Sequence, residues 1–244
     1  CARFARQTIE HAAAEAPAAL MMEAMQGNGG MIDFPAEFHQ AMRRLCDDLG
    51  MLLVYDEIQT GFGRVGEWFA SSLYGVEPDI MVIGKGLGGG FPIFGTLSRD
   101  DLIPYSPGDH SFTFAHFPVS MAAALASIEA IEAENLLDRG RRLGAAITAR
   151  LLEMRDRYEL IGDVRGPGLM IGVELVKSKK TKEPARQEAH DFVQEGLKRG
   201  VIFGESKYLG LGNIVKVKPP LVITEAQVER TLDVFEEIAR SLSN

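Results

Sequence analysis

Residues 80–90 read IMVIGKGLGGG, and this stretch guides the interpretation of the whole sequence. The apolar run from Ile80 to Ile83 is typical of a buried strand, and it leads directly to Lys85, which has glycine on both sides. Read alone, Lys85 is equally well explained as a surface lysine in a turn. A reactive amine needs partial desolvation and room for a bulky carbonyl compound, and the flanking glycines would supply that room.

Two other apolar segments end in an acidic side chain. Residues 18–23 (AALMME) end at Glu23, and residues 51–56 (MLLVYD) end at Asp56. A further strand is predicted near Ile93 to Leu97, and helices are predicted over residues 3–15 and 36–49, the latter closed by Gly50. This alternation predicts an α/β fold with a mostly parallel sheet, so the carboxyl ends of the strands should bring Glu23, Asp56 and Lys85 together.

The second half of the chain has a different pattern. Residues 118–158 are helical in pattern with a break near Asn135, and the remainder of the chain mixes short strands with helices. We therefore predict a boundary near residue 135, with one domain over 1–134 and a smaller α+β domain over 135–244. The elements predicted in the smaller domain are strands at 169–176, 201–203 and 215–217, and helices at 186–199 and 225–242, the last capped by Thr224 and Gln227.

Composition excludes several classes of function. The formal net charge is −8 and the basic residues are scattered, so no nucleic-acid or anionic membrane surface is expected. No apolar run reaches the length of a membrane span, and no metal-ligand spacing is evident. Two cysteines form no disulfide framework, which favours the cytoplasm. Because the sequence opens with Cys1 within a helical pattern, we expect the C-terminal portion of a longer polypeptide.

Asp56 is the residue that gives Lys85 a chemical context. A carboxylate at the end of a buried strand is costly unless it has a cationic partner, and a protonated pyridine nitrogen would be such a partner. The alternative is that Asp56 caps a turn. Glu57, the next residue, should point to the other side of the strand and have a structural role.

These motifs together resemble a known family. The segments DEIQTGFGR (56–64), PDI (78–80), GKGLGGG (84–90), VRGPGLMIGVE (164–174) and PPLVIT (219–224) are similar to the class III pyridoxal-phosphate aminotransferases, a fold type I family. The resemblance implies that residues 1–134 form the C-terminal part of the cofactor-binding large domain, with part of its mostly parallel sheet. Residues 135–244 would then form the small domain.

The resemblance also implies roles for individual residues. Lys85 would form the Schiff base with pyridoxal 5'-phosphate and shuttle the substrate proton. Asp56 would pair with the pyridine nitrogen, and Gln59 would bind near the phenolic oxygen. Thr113 would reach the cofactor phosphate of the neighbouring subunit, which implies a homodimer with shared active sites. Glu23 would lie in the active site.

The sequence departs from the family at the substrate-binding end. Many members that use α-ketoglutarate place arginine three residues before the Pro-Pro pair, where this chain has Lys216, a point charge and not a planar fork. This change weakens the case for a glutamate-recognising ion pair with Glu23, and favours pyruvate, glyoxylate or a phosphorylated amine as partner substrate. Lys216 is equally explained as a solvent-facing lysine on an edge strand. Arg165 is either a carboxylate ligand or a structural residue in a Gly-rich turn.

The function implied is an aminotransferase that acts on a small-molecule amine and a keto acid. The alternative at the same site is a lyase or decarboxylase, such as an amino-alcohol phosphate phospho-lyase. A third hypothesis is an inactive truncated subunit, because the sequence lacks the Gly-rich turn that cradles the cofactor phosphate in the family.

Overall fold

A computed structural model of the chain describes residues 1–12, 15–103, 106, 109, 113, 117–206 and 212–243. The chain divides into two compact units. The first unit contains residues 1–24, 34–62 and 67–134, and the second contains residues 25–33, 63–66 and 135–244. As an assignment of function to each part, the predicted domain division stays a prediction.

The described strands of the first unit form one sheet. Its strands are β1 (Ala19–Glu23), β2 (Leu52–Asp56), β3 (Ile80–Ile83) and β4 (Gly95–Ser98), in the order β1-β2-β3-β4. The first three strands are parallel, and β4 runs antiparallel to β3. The predicted mostly parallel sheet is therefore confirmed.

The first unit also contains four described α-helices. They are α1 (Ala2–Ala12), α2 (Ala36–Leu49), α3 (Ala70–Tyr74) and α4 (Pro118–Ala133). Helix α2 follows Pro35 and ends at Gly50, which adopts φ +65°, a left-handed conformation that glycine adopts without steric cost. The bounds predicted for α2 are confirmed, whereas the short helix α3 has no counterpart in the prediction.

The second unit is an antiparallel sheet packed against helices, as predicted for an α+β domain. Its strands are β5 (Ile161–Arg165), β6 (Ile171–Leu175), β7 (Gly204–Ser206) and β8 (Ile214–Val217), in the order β5-β6-β8-β7. Its helices are α5 (Leu136–Arg157), α6 (Arg186–Lys198) and α7 (Glu225–Leu242). The core contains Phe192, Phe203 and Phe235, whose rings lie 4.5 to 5.6 Å apart.

Three predicted details of the second unit have different outcomes. The helix break near Asn135 is confirmed, since α4 and α5 meet there and Asn135 adopts φ +50°. The capping box of Thr224 and Gln227 is also confirmed. The strand predicted at 201–203 is wrong, because pairing with β8 begins at Gly204. The side chain of Phe203 packs into the core just before that pairing starts, which gave the apolar signal.

Glu57 fixes the turn that follows β2, as its predicted structural role requires. Its carboxylate is fully buried and accepts hydrogen bonds from the Thr60 hydroxyl and from the backbone N–H groups of Ala70 and Ser71, the latter two at 3.0 and 2.7 Å. Burial raises the pKa of Glu57, although these hydrogen bonds oppose the shift. Glu57 thus ties the turn after Asp56 to the start of α3.

Replacing Glu57 with Gln is expected to lower the free energy of unfolding by about 2–3 kcal/mol, because an amide nitrogen cannot accept the hydrogen bonds that one carboxylate oxygen now accepts. Urea unfolding of the full-length gene product would measure the loss. Glu77→Gln is the matched control, since Glu77 is exposed, and it should change the free energy by less than about 0.5 kcal/mol. Equal stability of the two variants would contradict the anchoring role of Glu57.

Candidate active site

The carboxyl ends of β1, β2 and β3 meet at one edge of the sheet. Glu23 is the register partner of Asp56, and Asp56 is the register partner of Val82. Lys85 follows the last residue of β3 by two positions. The predicted convergence of Glu23, Asp56 and Lys85 at this edge is confirmed as geometry.

Asp56 is half-buried at the end of β2. Its Oδ1 atom accepts a hydrogen bond from the backbone N–H of Ile58 at 2.9 Å, which is the turn-capping contact that the sequence left open. Among the residues that the structure describes, no cationic side chain pairs with Asp56. Because an ionised carboxylate in such a place is stabilised by a positive partner, the arrangement suits a cationic ligand at the strand end.

Lys85 has an unusual backbone conformation. Its φ is +45°, in the left-handed region that non-glycine residues rarely adopt, and it begins a short 3-10 helix over Lys85–Gly88. Such a conformation costs on the order of 1 kcal/mol and is concentrated at functional sites. The side chain is exposed and makes no hydrogen bond or ion pair with the described part of the chain. The desolvation expected of a reactive amine is not provided by these residues.

The glycines after Lys85 have a different purpose from the one predicted. A Cβ added at Gly86 would lie in ordinary contact, 3.5 Å from Phe62 Cβ. At Gly88 it would lie 2.8 Å from the Ile93 side chain, and at Gly89, where φ is +56°, it would lie 2.5 Å from Ser127 Oγ on α4. The glycine run therefore allows the turn after Lys85 to pack closely, and this packing fixes where the lysine emerges.

Gln59 and Thr113, the other predicted cofactor ligands, differ in how much the structure says of them. Gln59 is half-buried in the turn after β2, three residues beyond Asp56. Thr113 lies exposed in a turn, and residues 110–112 and 114–116 on either side of it are outside the described residues. The roles predicted for both residues stay predictions.

Lys216 is not the solvent-facing edge lysine that the sequence allowed. It lies in β8, which has β6 on one side and β7 on the other, and only 8% of the residue is exposed. Its Nζ atom lies 3.2 Å from the side-chain oxygen Oδ1 of Asn28. Sequence reasoning missed Asn28, because no spacing rule links residues that are 188 positions apart.

Arg165 is engaged by carboxylates of its own unit. It is the last residue of β5, so its assignment to a turn is wrong. Its Nη1 atom lies 2.8 Å from Asp163 and 2.6 Å from Glu174, and its Nε atom donates to the carbonyl oxygen of Gly30 at 3.0 Å. Asp163 and Arg165 stand two positions apart on the same face of a strand, a signal that a strand prediction here would have revealed. These contacts favour the structural alternative for Arg165.

Neither a metal cluster nor a membrane span is found in the described ranges. No three or more histidine, cysteine, aspartate or glutamate side chains in that part of the chain are grouped so as to hold a metal ion. No helix among the described residues is both long enough and apolar enough to span a membrane.

The whole sequence is similar to a large group of known proteins. The family model for class-III aminotransferases matches residues 1–239. A leucine/methionine racemase from Thermococcus litoralis is 43% identical over 91% of this chain and 50% of that protein. An acetylornithine aminotransferase from Methanosarcina mazei is 40% identical over 94% of this chain and 54% of that protein. The chain thus spans about half the length of the curated relatives it matches.

Solved structures give the same result for the fold. An amine transaminase from an uncultivated Pseudomonas species, solved in its PLP-bound form, superposes with a TM-score of 0.89 at 33% identity, over the full length of this chain and 56% of that one. The predicted fold type I architecture and the resemblance inferred from the motifs are both confirmed. The chain belongs to the class III aminotransferase family.

Proposed function

We propose that the protein that carries this sequence is a pyridoxal-phosphate-dependent aminotransferase, which moves an amino group from an amine or amino acid to a keto acid. The observation that carries the proposal is the placement of Lys85 and Asp56 at one sheet edge, in a chain of the class III family. The small-molecule amine and keto acid are proposed as the substrates.

The residues at the sheet edge fit this cofactor. Asp56 is a half-buried carboxylate without a cationic partner among the described residues, and a protonated ring nitrogen supplies that partner. Lys85 presents an amine that the described residues leave available for covalent chemistry. When bound, pyridoxal phosphate supplies an aldehyde that takes up amino groups and a ring that withdraws electrons from the neighbouring carbon.

The chain's own residues then have separate tasks. The Lys85 amine removes the proton from the α-carbon of the substrate and returns it, a general acid–base role. The Asp56 carboxylate holds a proton on the ring nitrogen by its negative charge. The Gln59 side chain binds near the ring oxygen, and the Thr113 hydroxyl donates to the phosphate of a neighbouring subunit. The last role makes a homodimer with shared active sites part of the proposal.

A cytoplasmic location is also part of the proposal. Cys1 and Cys46 are both free, and Cys46 is buried. A chain without disulfides suits a reducing compartment.

A second candidate is an amino-acid racemase, because one relative at 43% identity is a leucine/methionine racemase. Both reactions start when the proton leaves the α-carbon of an amino acid. They differ in where the proton returns: a racemase returns it to the opposite face of the same carbon, whereas an aminotransferase leaves the amino group behind for a keto acid. The lyase and decarboxylase alternatives share the same first contacts of Lys85 and Asp56.

Incubation of the full-length gene product with single-enantiomer amino acids, with and without pyruvate or another keto acid, separates these functions. We expect a new amino acid to form in step with loss of the keto acid, followed by chiral chromatography. Accumulation of the opposite enantiomer without any keto acid would favour the racemase. Release of phosphate from a phosphorylated amine would favour the lyase, and no reaction in the presence of the cofactor would contradict the proposal.

A further inference from the structure

Asn28 is the polar neighbour that the structure gives to the Lys216 side chain. The Lys216 Nζ atom lies 3.2 Å from Asn28 Oδ1, within hydrogen-bond distance of a neutral acceptor. A neutral amide oxygen orients an ammonium group without cancelling its charge, whereas a carboxylate in the same place would form an ion pair. The amide at position 28 therefore leaves the positive charge of Lys216 in place.

Asn28 is itself held in position within the second unit. The hydroxyl of Ser206, on β7, donates a hydrogen bond to the backbone carbonyl oxygen of Asn28. Lys216 is the register partner of Gly204 on the same strand β7, and a Cβ added at Gly204 would lie 3.2 Å from Lys216 Cβ. The lysine stem thus lies across a glycine, and its end meets an amide that the neighbouring strand holds.

The other predicted substrate cation of the second unit is already engaged. Arg165 Nη1 contacts both Asp163 and Glu174, at 2.8 and 2.6 Å. A guanidinium with two carboxylates at such distances offers little attraction to a third. Of the two cations that the sequence suggested for substrate carboxylates, Lys216 is therefore the one suited to bind one.

We propose that Asn28 is a positioning residue that holds Lys216 as the recognition point for a single carboxylate, so that the substrate class is neutral amino acids and not dicarboxylic ones. The inference rests on the proposed function and deepens it. A point charge oriented by a neutral amide matches one carboxylate, and the second unit leaves Arg165 no capacity for another. The racemase relative is named for leucine and methionine, both of which are neutral amino acids.

The test compares Asn28→Asp with the wild-type full-length gene product, using leucine or alanine, glutamate, and a primary amine that has no carboxylate. A carboxylate at position 28 would pair with Lys216 and compete with the substrate. We expect the KM for the neutral amino acid to rise about 10- to 100-fold, the equivalent of one hydrogen bond to a charged group, while kcat changes less than about threefold. The KM for the primary amine should not rise.

Two further variants separate this effect from a general change in charge or fold. Asn135→Asp adds the same charge at an exposed position and should leave the KM unchanged. In a Lys216→Met background, Asn28→Asp should no longer raise the KM, since the pair it acts on is gone. Persistence of the full effect in that background would overturn the inference.

The inference and the proposed function fail in different ways. Wild-type protein that processes glutamate more efficiently than leucine or alanine would overturn the inference and leave the proposed function intact. An equal rise in KM for the amine and the amino acid in Asn28→Asp would also overturn it. Wild-type protein that acts on no amine or amino acid would overturn both.

Discussion

Replacing Lys85 with Ala should reduce turnover by the full-length gene product at least about a thousandfold, since the same amine is proposed to bind covalently and to move the substrate proton. Lys85 makes no contact with the described residues that would make it necessary for folding. The free energy of unfolding should therefore stay within about 1 kcal/mol of the wild-type value. Steady-state kinetics together with urea unfolding would measure both quantities.

Lys182→Ala is the matched control for this variant. Lys182 is exposed and has φ +56°, so alanine there meets the same left-handed backbone as alanine at position 85. Turnover of Lys182→Ala should equal that of the wild type. Retention of more than about a tenth of the activity by Lys85→Ala would mean that another group removes the substrate proton, since general acid–base catalysis contributes about 10²- to 10⁴-fold.

Replacing Asp56 with Asn is expected to have the second largest effect. Asparagine keeps a side-chain oxygen that can accept the hydrogen bond from Ile58, but it removes the negative charge. Without that charge the ring nitrogen is no longer held in its protonated form, and electron withdrawal from the α-carbon weakens. We expect kcat to fall about 100- to 1,000-fold, within the range of a lost electrostatic or acid–base contribution.

Asp48→Asn provides the comparison for Asp56→Asn. Asp48 is exposed and pairs with Arg6 on the surface, so its replacement should leave kcat unchanged. Thermal unfolding would show whether either variant loses structure. An Asp56→Asn enzyme with kcat close to that of the wild type would mean that the half-buried carboxylate only caps the turn after β2.

The sheet edge of the first unit could be predicted from sequence because its signals are local. Each of the strands β1 to β3 is a short apolar run, and each ends within two positions of a charged side chain. Parallel strands then force these ends to the same edge, whatever the details of packing. Helix α2 was predictable for a similar reason, since Pro35 and Gly50 mark its two ends.

The substrate end could not be predicted in the same way, because its contacts join distant parts of the chain. The pairing of Lys216 with Asn28 spans 188 positions, and no periodicity indicates it. Arg165 was assigned to a turn because Gly166 follows it, and that assignment hid its neighbours Asp163 and Glu174. In β8 the strand is buried on both faces, so Lys216 sits among apolar residues where alternation gives no warning.

The glycine run shows a third limit. The sequence indicated glycines around Lys85, and the inference that they provide room at the amine was reasonable for Gly84 and Gly86. The close contacts fall instead at Gly88 and Gly89, against Ile93 and Ser127. Only the packed structure identifies these partners, because no local pattern links them to the glycines.

Covalent labelling tests the central claim most directly. The full-length gene product would be incubated with pyridoxal phosphate, reduced with borohydride, digested and analysed by peptide mass spectrometry. We predict that the peptide that contains Lys85 gains the mass of the reduced cofactor, and that the label disappears in Lys85→Ala. A label on a different lysine of the wild-type protein, or no label at all, would contradict the assignment of Lys85 as the reactive amine.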